Sequence, residues 1–245
     1  GIGGSATNDA GLGMLQALGF RFYDQNGEIL GKGGQILDQI VAIDFSSVHP
    51  ALKDARFTIA CDVRNPFSGP EGAAYVFARQ KGADGAMIEK LDAGMKRFSR
   101  LIHSTTGREI TEVAGAGAAG GLGGAFLAFL NAELKPGIEL LLRTLKFDEK
   151  IKDADLIITG EGRVDRQSVM GKVPFGILEE ANKQGIPVIV VAGSIADTEV
   201  LNKAGFRGIF SIVPSPMSLE VAMKPEAAKN NISRTVAQII SLATL

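Results

Sequence analysis

The chain has 245 residues, and its 45% hydrophobic and 22% charged composition is that of a globular protein with its own core, which excludes a disordered chain. A formal net charge of -1 without a lysine or arginine cluster argues against a nucleic-acid partner, and apolar runs shorter than the roughly 20 residues of a membrane span argue against a membrane partner. The single cysteine, Cys61, excludes an internal disulfide and favours a reducing, cytoplasmic location.

The first residues predict a glycine turn between the end of a buried strand at Ile2 and a helix over residues 14–18. Because the chain begins without a methionine, we expect the natural protein to start further upstream. Converging backbone amides and hydroxyl groups favour an anion-binding site in this turn, at the helix N-terminus. The alternative is a tight turn in which Asn8 or Asp9 only caps the helix. The candidate binding residues are Gly3, Gly4, Ser5, Thr7, Asn8 and Asp9.

A second candidate site follows a strand predicted over residues 57–63. An acid and an amide at the end of a strand are typical of catalytic or Mg²⁺-binding groups in α/β enzymes, which makes Asp62 a candidate metal ligand and catalytic acid and Asn65 a candidate binding residue. Alternatively, both side chains only bond the turn that Pro66 begins. Lys81 is a candidate phosphate contact, although an isolated lysine is usually a solvated surface residue. A helix is predicted over residues 87–103.

The glycines of residues 115–120 match the dinucleotide-binding pattern GxGxxG, which is weak by itself. The preceding strand is poor, and a leucine-rich helical stretch near Glu139 stands where the pattern requires the end of a second strand. We interpret this segment as a close-packed loop that leads into a helix, with Gly117 as a candidate nucleotide contact. An NAD(P)-dependent oxidoreductase that uses this loop remains an alternative function.

From residue 155 onward, short β-rich runs alternate with helical stretches, as in parallel α/β folds. Strands are predicted over residues 156–159, 186–192 and 208–213. One helix begins near Pro174 and ends near Gly185, a second is capped by Ser194 or Asp197 and ends at Gly205, and two more finish the chain. Three β-α units are too few for a doubly wound sheet, so we expect N-terminal strands that this chain lacks to complete it.

The most informative stretch joins the strand predicted to end at Thr159 to the helix at Pro174. Phosphoryl transfer needs cations against the moving charge, an acid that orients the attacking hydroxyl or holds Mg²⁺, and glycines that allow close approach, and this loop supplies all three at the ligand-binding edge of a parallel sheet. The alternative is a solvated loop with internal salt bridges. Neither a Walker A sequence nor the protein-kinase motif set is present. The candidates are Thr159, Gly160, Glu161, Gly162, Arg163, Asp165 and Lys172.

Six segments, spread in order over nearly the whole chain, carry a family resemblance. They are GIGGSATND (1–9), CDVRNPFSGPEGAA (61–74), QKGA (80–83), GAGAAGG (115–121), DLIITGEGRVDRQSVMGKVPFG (155–176) and VPSPMSLEVAM (213–223). Together they resemble the type I glycerate kinases of bacteria. This chain departs from that family by lacking its N-terminal segment, with part of the expected site, and by carrying Ala10 where glycine is frequent.

The resemblance implies an enzyme with two α/β domains, which takes ATP and Mg²⁺ as cofactors and D-glycerate as acceptor, with 2-phosphoglycerate favoured over 3-phosphoglycerate as product. We expect a mixed α/β domain over residues 1–148 and the C-terminal part of a Rossmann-like domain over residues 149–245. Our hypothesis is that Asp165 or Glu161 orients the glycerate hydroxyl, Asp62 helps to hold Mg²⁺, and Arg163 with Lys172 neutralises carboxylate or phosphate charge. A homodimer and a non-catalytic fragment of a kinase also remain open.

Overall fold

The computed structural model describes residues 1–169 and 171–243, and its contacts divide the chain into two compact units, Gly1–Gly137 and Ile138–Leu245. The division falls before the boundary predicted at residue 148. Two helices, α4 (Gly137–Thr144) and α5 (Phe147–Lys150), therefore go almost entirely with the second unit. The reason is packing, because Ile138 lies against Gly176 and Phe147 packs on the hydrophobic core of that unit.

The first unit is built around helices α1 (Leu12–Ala17), α2 (Gly85–Thr106) and α3 (Ala118–Phe129). Helix α2 extends beyond the predicted residues 87–103 because both ends are capped. The Asp84 carboxylate accepts the backbone N–H of Met87 at 2.8 Å, and Gly107, at a φ of 72°, ends the helix by donating its N–H to the carbonyl of His103. The buried face of α2 packs into a core whose aromatic contacts include Phe22 edge-on to Phe98.

Two small sheets complete the first unit. Strands β1 (Arg21–Tyr23) and β2 (Ala42–Asp44) pair antiparallel, whereas β3 (Thr58–Ala60) and β4 (Glu133–Lys135) pair parallel. The strand predicted over residues 57–63 is therefore shorter than expected, although the Cys61 N–H still bonds the Lys135 carbonyl. Ile2 continues the pairing by donating its N–H to the carbonyl of Ala60, so the chain enters the predicted glycine turn from the edge of β3.

The second unit contains a parallel sheet in the order β5–β6–β7, which confirms the predicted α/β fold class. Strands β5 (Ile157–Val164), β6 (Val188–Ile195) and β7 (Gly208–Ser211) alternate with helices α6 (Val173–Asn182) and α7 (Thr198–Ala204), and α8 (Leu219–Ala222) and α9 (Pro225–Ala243) follow. On one face of β6, Val188, Val190 and Ala192 belong to the core formed with α6 and α7; on the other, Ile189 and Val191 cluster with Ile239 of α9.

Strand β5 is longer than the sequence predicts. The loop expected after Thr159 is extended backbone up to Val164, in register with β6 through Gly160 opposite Val191 and Arg163 opposite Ser194. Glycine and glutamate have weak strand preference, but pairing with β6 satisfies their backbone groups and overrides that preference. Glu161 and Arg163 are thus held on a strand and not on a free loop.

The helix after β6 also differs in its cap. Asp197 stands at the N-cap position of α7 with a left-handed φ of 53° and makes no side-chain cap bond, while Gly205 ends the helix as predicted. The Asp197 carboxylate instead accepts the backbone N–H of Arg166. Across residues 1–169 and 171–243, none of the helices has the length and apolar character that crossing a membrane requires.

Candidate functional site

The N-terminal glycine turn and Lys81 come together, although they lie more than seventy residues apart in the sequence. The Lys81 ammonium donates to the Ser5 hydroxyl at 2.9 Å and to the Thr7 carbonyl at 2.5 Å. Burial lowers the pKa of Lys81, and the charge of Asp9 opposes that shift. The structure therefore brings two predicted binding residues, Ser5 and Thr7, onto the half-buried cation of a third, Lys81.

Asp9 caps the helix that follows this turn, which is the structural alternative stated for Asn8 or Asp9. Its carboxylate accepts the backbone N–H of Gly11 at 3.1 Å and that of Gly13 at 3.2 Å, so it caps the first turn of α1. Asn8 has its amide nitrogen 3.4 Å from the Met95 sulfur, and its Oδ1 atom is buried without a hydrogen-bond partner in the described part of the chain. Asn8 is thus the member of the turn with unused hydrogen-bonding capacity.

A cavity of about 350 Å³, which we call the Lys81 pocket, opens beside this turn. Gly3 and Gly4 do not line it and are exposed, and added Cβ atoms there would meet no atom within 4 Å, so both glycines leave the turn open to solvent. The lining consists of small or apolar groups with two amines and two amides: Ala6, Asn8, Gly34, Gln35, Ala78, Lys81, Gly82, Ala83, Met87, Lys90 and Leu91.

The glycine loop of residues 115–121 packs tightly against neighbouring backbone. A Cβ on Gly117 would lie 2.1 Å from the Pro66 carbonyl oxygen, and one on Gly120 would lie 2.2 Å from the Thr7 carbonyl oxygen. Gly120 is also left-handed, with a φ of 72°, and its carbonyl accepts the N–H of Ala10. This geometry matches the interpretation as a close-packed loop. No strand lies between Thr106 and Gly117, all of which are described, so the loop lacks the strand that a dinucleotide fingerprint follows.

Asp62 and Asn65 both make bonds to nearby backbone. Asp62 is exposed at the carboxyl end of the parallel pair β3–β4, and its Oδ1 atom accepts the Gly137 N–H at 2.8 Å. Asn65 donates from its side chain to the Glu71 carbonyl at 2.8 Å, while its own carbonyl accepts from Gly115 and Gly117. Asn65 therefore stabilises the turn and anchors the glycine loop, and Asp62 keeps an exposed carboxylate at a strand end.

The end of strand β5 gathers the predicted acids of the second unit. Glu161 lies 3.3 Å from the Ser168 hydroxyl, and that same hydroxyl accepts the backbone N–H of Asp165. The Arg163 guanidinium bonds the Asp165 carboxylate at 3.1 Å. Ser168 is fully buried and Asp165 is mostly buried, whereas Arg163 is largely exposed. The buried hydroxyl thus contacts the Glu161 carboxylate and the Asp165 backbone, and an arginine pairs with the Asp165 carboxylate.

Sequence reasoning missed Ser168 and Arg166. Ser168 stands three residues after Asp165, a spacing typical of a serine that bonds a nearby backbone group. This spacing is the sequence signal that could have identified Ser168. Arg166 lies 3.6 Å from Asp197, and no sequence signal links two residues on different β-α connections. Lys172, which was predicted, is exposed at the N-cap of α6. Met170, within the same motif, lies outside the described residues.

A second cavity, of about 870 Å³, lies on the α8–α9 side of the sheet in the second unit. Its floor is the carboxyl half of β5 from Ile158 to Gly162 and of β6 from Val191 to Ser194. Thr159, Gly160, Glu161 and Gly162 therefore line one cavity, and their role in binding a ligand stays a prediction. Gly160 is needed here for close approach, because its Cβ would lie 2.9 Å from the Val191 carbonyl oxygen.

This architecture defines the broad class of the molecule: an α/β protein whose parallel strands present polar residues at their carboxyl ends, where such folds bind ligands. The chain also matches the model of the glycerate kinase family over residues 1–244. It therefore belongs to the glycerate kinase family, and the resemblance identified from its motifs is confirmed.

Individual proteins named as glycerate kinases are similar to this chain in sequence and structure. The glycerate kinase of Halalkalibacterium halodurans is 47% identical over 239 residues, covering 95% of this chain and 63% of that protein. The glycerate 2-kinase of Escherichia coli is 46% identical, covering 96% and 61%. A crystal structure of a protein assigned as glycerate kinase 2 from Salmonella typhimurium LT2 matches with a TM-score of 0.80 at 41% identity, covering 100% of this chain and 64% of its own. The chain thus spans slightly less than two thirds of the length of these relatives.

Proposed function

We propose that this chain carries part of the active site of a kinase that transfers the γ-phosphate of ATP to D-glycerate. Membership of the glycerate kinase family supports the reaction. The observation that carries it in the geometry is the cluster at the end of β5, where Glu161 and Asp165 both contact Ser168 and Arg163 bonds Asp165. Acids that position a hydroxyl and a cation that offsets phosphate charge are the groups phosphoryl transfer needs.

In this proposal, Asp165 is the acid that orients the attacking hydroxyl and accepts its proton. The hydroxyl oxygen forms a bond to the γ-phosphorus as the bond from that phosphorus to the ADP oxygen breaks. Asp165 suits this role because Ser168 and Arg163 fix its position and little of its side chain is exposed. Glu161, on the other side of Ser168, is the alternative acid.

The phosphate groups of ATP are assigned to the cavity above β5 and β6. Thr159, Gly160 and Gly162 line it and let phosphate oxygens approach the backbone closely, while Arg163 near the end of β5 and Lys172 at the N-cap of α6 are exposed cations that offset the charge. Arg163 must exchange part of its contact with Asp165 for the phosphate. The cavity of about 870 Å³ is large enough for a nucleotide, since drug-sized ligands occupy about 300–1,000 Å³.

For the Mg²⁺ that the family implies, the described residues offer single carboxylates as ligands and no larger cluster. Within residues 1–169 and 171–243, no group of three or more histidine, cysteine, aspartate or glutamate residues could form a protein cage for a metal ion. That arrangement fits Mg²⁺, because this ion commonly takes one or two carboxylates and receives its other ligands from phosphates and water. Asp62 would hold it with its exposed carboxylate, and the ion would supply positive charge. We assign Asp62 a catalytic role only through its contact with Mg²⁺.

The acceptor and product follow from the relatives. The relative from Escherichia coli is named a glycerate 2-kinase, which favours 2-phosphoglycerate as the product of this chain as well. Which hydroxyl reacts depends on which one lies in line with the γ-phosphate. The product is therefore identified in its own experiment, in which the two phosphoglycerate isomers are resolved after the reaction.

A chimera that restores the full length of a relative tests the proposal. This chain replaces the matched region of the Halalkalibacterium halodurans glycerate kinase, and ADP release with D-glycerate is measured by a coupled assay. We expect turnover in the chimera and a loss of about 100-fold or more in kcat for Asp165→Asn, since general-base groups contribute about 10²–10⁴-fold. Asp153→Asn, an exposed acid of the same unit, is the matched control.

Two results would contradict this proposal. A chimera that folds but releases no ADP with D-glycerate would favour the non-catalytic interpretation of the chain. Normal kcat in both Asp165→Asn and Glu161→Gln would remove the β5 cluster from the reaction. Titration with NADH provides a further comparison, because binding of ADP without binding of NADH disfavours the oxidoreductase alternative.

A further inference from the structure

The Lys81 pocket contains a cation without a bound counter-charge. The Lys81 ammonium has three N–H donors and gives two of them to neutral acceptors, the Ser5 hydroxyl and the Thr7 carbonyl. In the described part of the chain, no carboxylate lies within 4.0 Å of it. Asp9, which acts on it electrostatically, already accepts two backbone N–H groups. A half-buried ammonium with a donor to spare favours an anionic ligand.

A second amine faces the same cavity from helix α2. Lys90 lines the Lys81 pocket, and its only described ion pair, with Asp38, has an N–O distance of 4.0 Å. That pair is weak because it is long and 60% of the Lys90 side chain is exposed. Lys90 can therefore turn towards an anion in the pocket at little cost in lost contacts.

The remaining lining selects for a small hydroxy acid. Asn8 has a buried Oδ1 atom without a described partner, and Gln35 supplies a second amide, so both can bond hydroxyl groups. Ala6, Ala83 and Leu91 form an apolar bed that contacts carbon atoms. The volume of about 350 Å³ lies within the roughly 300–1,000 Å³ typical of ligand pockets, so a three-carbon acid fits with room for water.

We propose that the Lys81 pocket binds the carboxylate of the glycerate acceptor, with Lys81 and Lys90 as its donors and Asn8 and Gln35 as partners of the hydroxyl group that does not react. This inference rests on the proposed function for the identity of the acid. It gives Lys81 a carboxylate contact in place of the phosphate contact that its sequence motif suggested. It also assigns binding roles to Lys90 and Gln35, which no motif indicated.

Calorimetric titration of this chain tests the pocket directly. D-glycerate should bind, glycerol should not because it lacks the carboxylate, and inorganic phosphate should compete only weakly. Lys81→Met should weaken D-glycerate binding about tenfold or more, the loss expected for a charge-assisted hydrogen bond. Lys90→Met should weaken it several-fold. The matched control is Lys53→Met, an exposed lysine of the same unit outside the pocket lining, which should leave affinity unchanged.

The folding of each variant is checked by the fluorescence of Tyr23 and Tyr75, which both lie in the first unit. Should Lys81→Met fail to fold, Lys90→Met and Gln35→Leu still decide the question, because both side chains are exposed and their loss should not affect folding. Unchanged D-glycerate affinity in those two variants, or phosphate binding more tightly than D-glycerate with the same dependence on Lys81, would overturn the carboxylate assignment.

The chimera separates this inference from the kinase proposal. Turnover with an unchanged KM for D-glycerate in the Lys81→Met and Lys90→Met chimeras would overturn the pocket assignment while the kinase proposal stands. Lysine-dependent binding of D-glycerate in a chimera that releases no ADP would support the pocket assignment and contradict the kinase proposal.

Discussion

Substitution of Gly120 by alanine probes the contact between the glycine loop and the N-terminal turn. The new methyl group would lie 2.2 Å from the Thr7 carbonyl oxygen and 2.6 Å from the Cα atom of Asn8, both of which are backbone atoms that cannot move without shifting the turn. The residue would also keep a φ of 72°, which disfavours any side chain. The Thr7 carbonyl accepts the Lys81 ammonium, so the same clash displaces a bond of the Lys81 pocket.

The size of the effect follows from two separable costs. A left-handed alanine costs about 1–2 kcal/mol, and overpacking against fixed atoms adds about 1–3 kcal/mol. We therefore expect Gly120→Ala to lower the free energy of unfolding of the first unit by about 3 kcal/mol. The matched control is Gly27→Ala, which has a similar φ of 78° but no atom within 4 Å of its Cβ. It should lose only the first cost, about 1–2 kcal/mol.

Urea unfolding followed by tyrosine fluorescence measures this difference. The chain has two tyrosines and no tryptophan, and Tyr23 and Tyr75 both lie within Gly1–Gly137, so the signal reports the first unit alone. This selectivity matters because a chain of two units need not unfold in one step. If both variants lose the same stability to within about 0.5 kcal/mol, the close approach of residues 115–121 to the N-terminal turn is refuted.

Two further predictions concern titratable groups of the first unit. Only the ammonium form of Lys81 binds an anion, and burial lowers its pKa, so D-glycerate affinity should be constant at neutral pH and fall as pH rises, with a midpoint below the ordinary lysine value of about 10.4. Calorimetric titration between neutral and alkaline pH measures this. Burial also raises the pKa of Cys61, so its thiol should stay protonated and react with iodoacetamide at pH 8 far more slowly in the folded chain than in urea, as mass spectrometry would show.

Each of these predictions has its own control. Lys81→Arg should reduce the alkaline loss of affinity, because the guanidinium stays protonated over this range; a pH-independent affinity in the unaltered chain would show that Lys81 does not bind the acid as an ammonium. For Cys61, the chain in urea gives the rate of the accessible thiol. Equal rates in the folded and unfolded chain would mean that the 9% exposure of Cys61 understates its accessibility.

The sequence by itself predicted the elements whose signals are local. Alternating apolar runs and helix-ending glycines such as Gly205 are read within one turn or strand, and they correctly gave the parallel α/β order of the second unit. The motifs, read together, identified the family, which the comparisons confirmed. The assignment of catalytic and binding roles to particular residues stays a prediction.

Only the tertiary structure determined the features that depend on residues distant in the sequence. Pairing with β6 turned the expected loop of residues 160–163 into strand, and the Pro66 and Thr7 carbonyls explain why residues 117 and 120 are glycines. The contacts of Lys81 with Ser5 and Thr7 join segments more than seventy residues apart. Local propensity carries no information about such contacts, because their free energy comes from backbone pairing and close packing that exist only once the chain is folded.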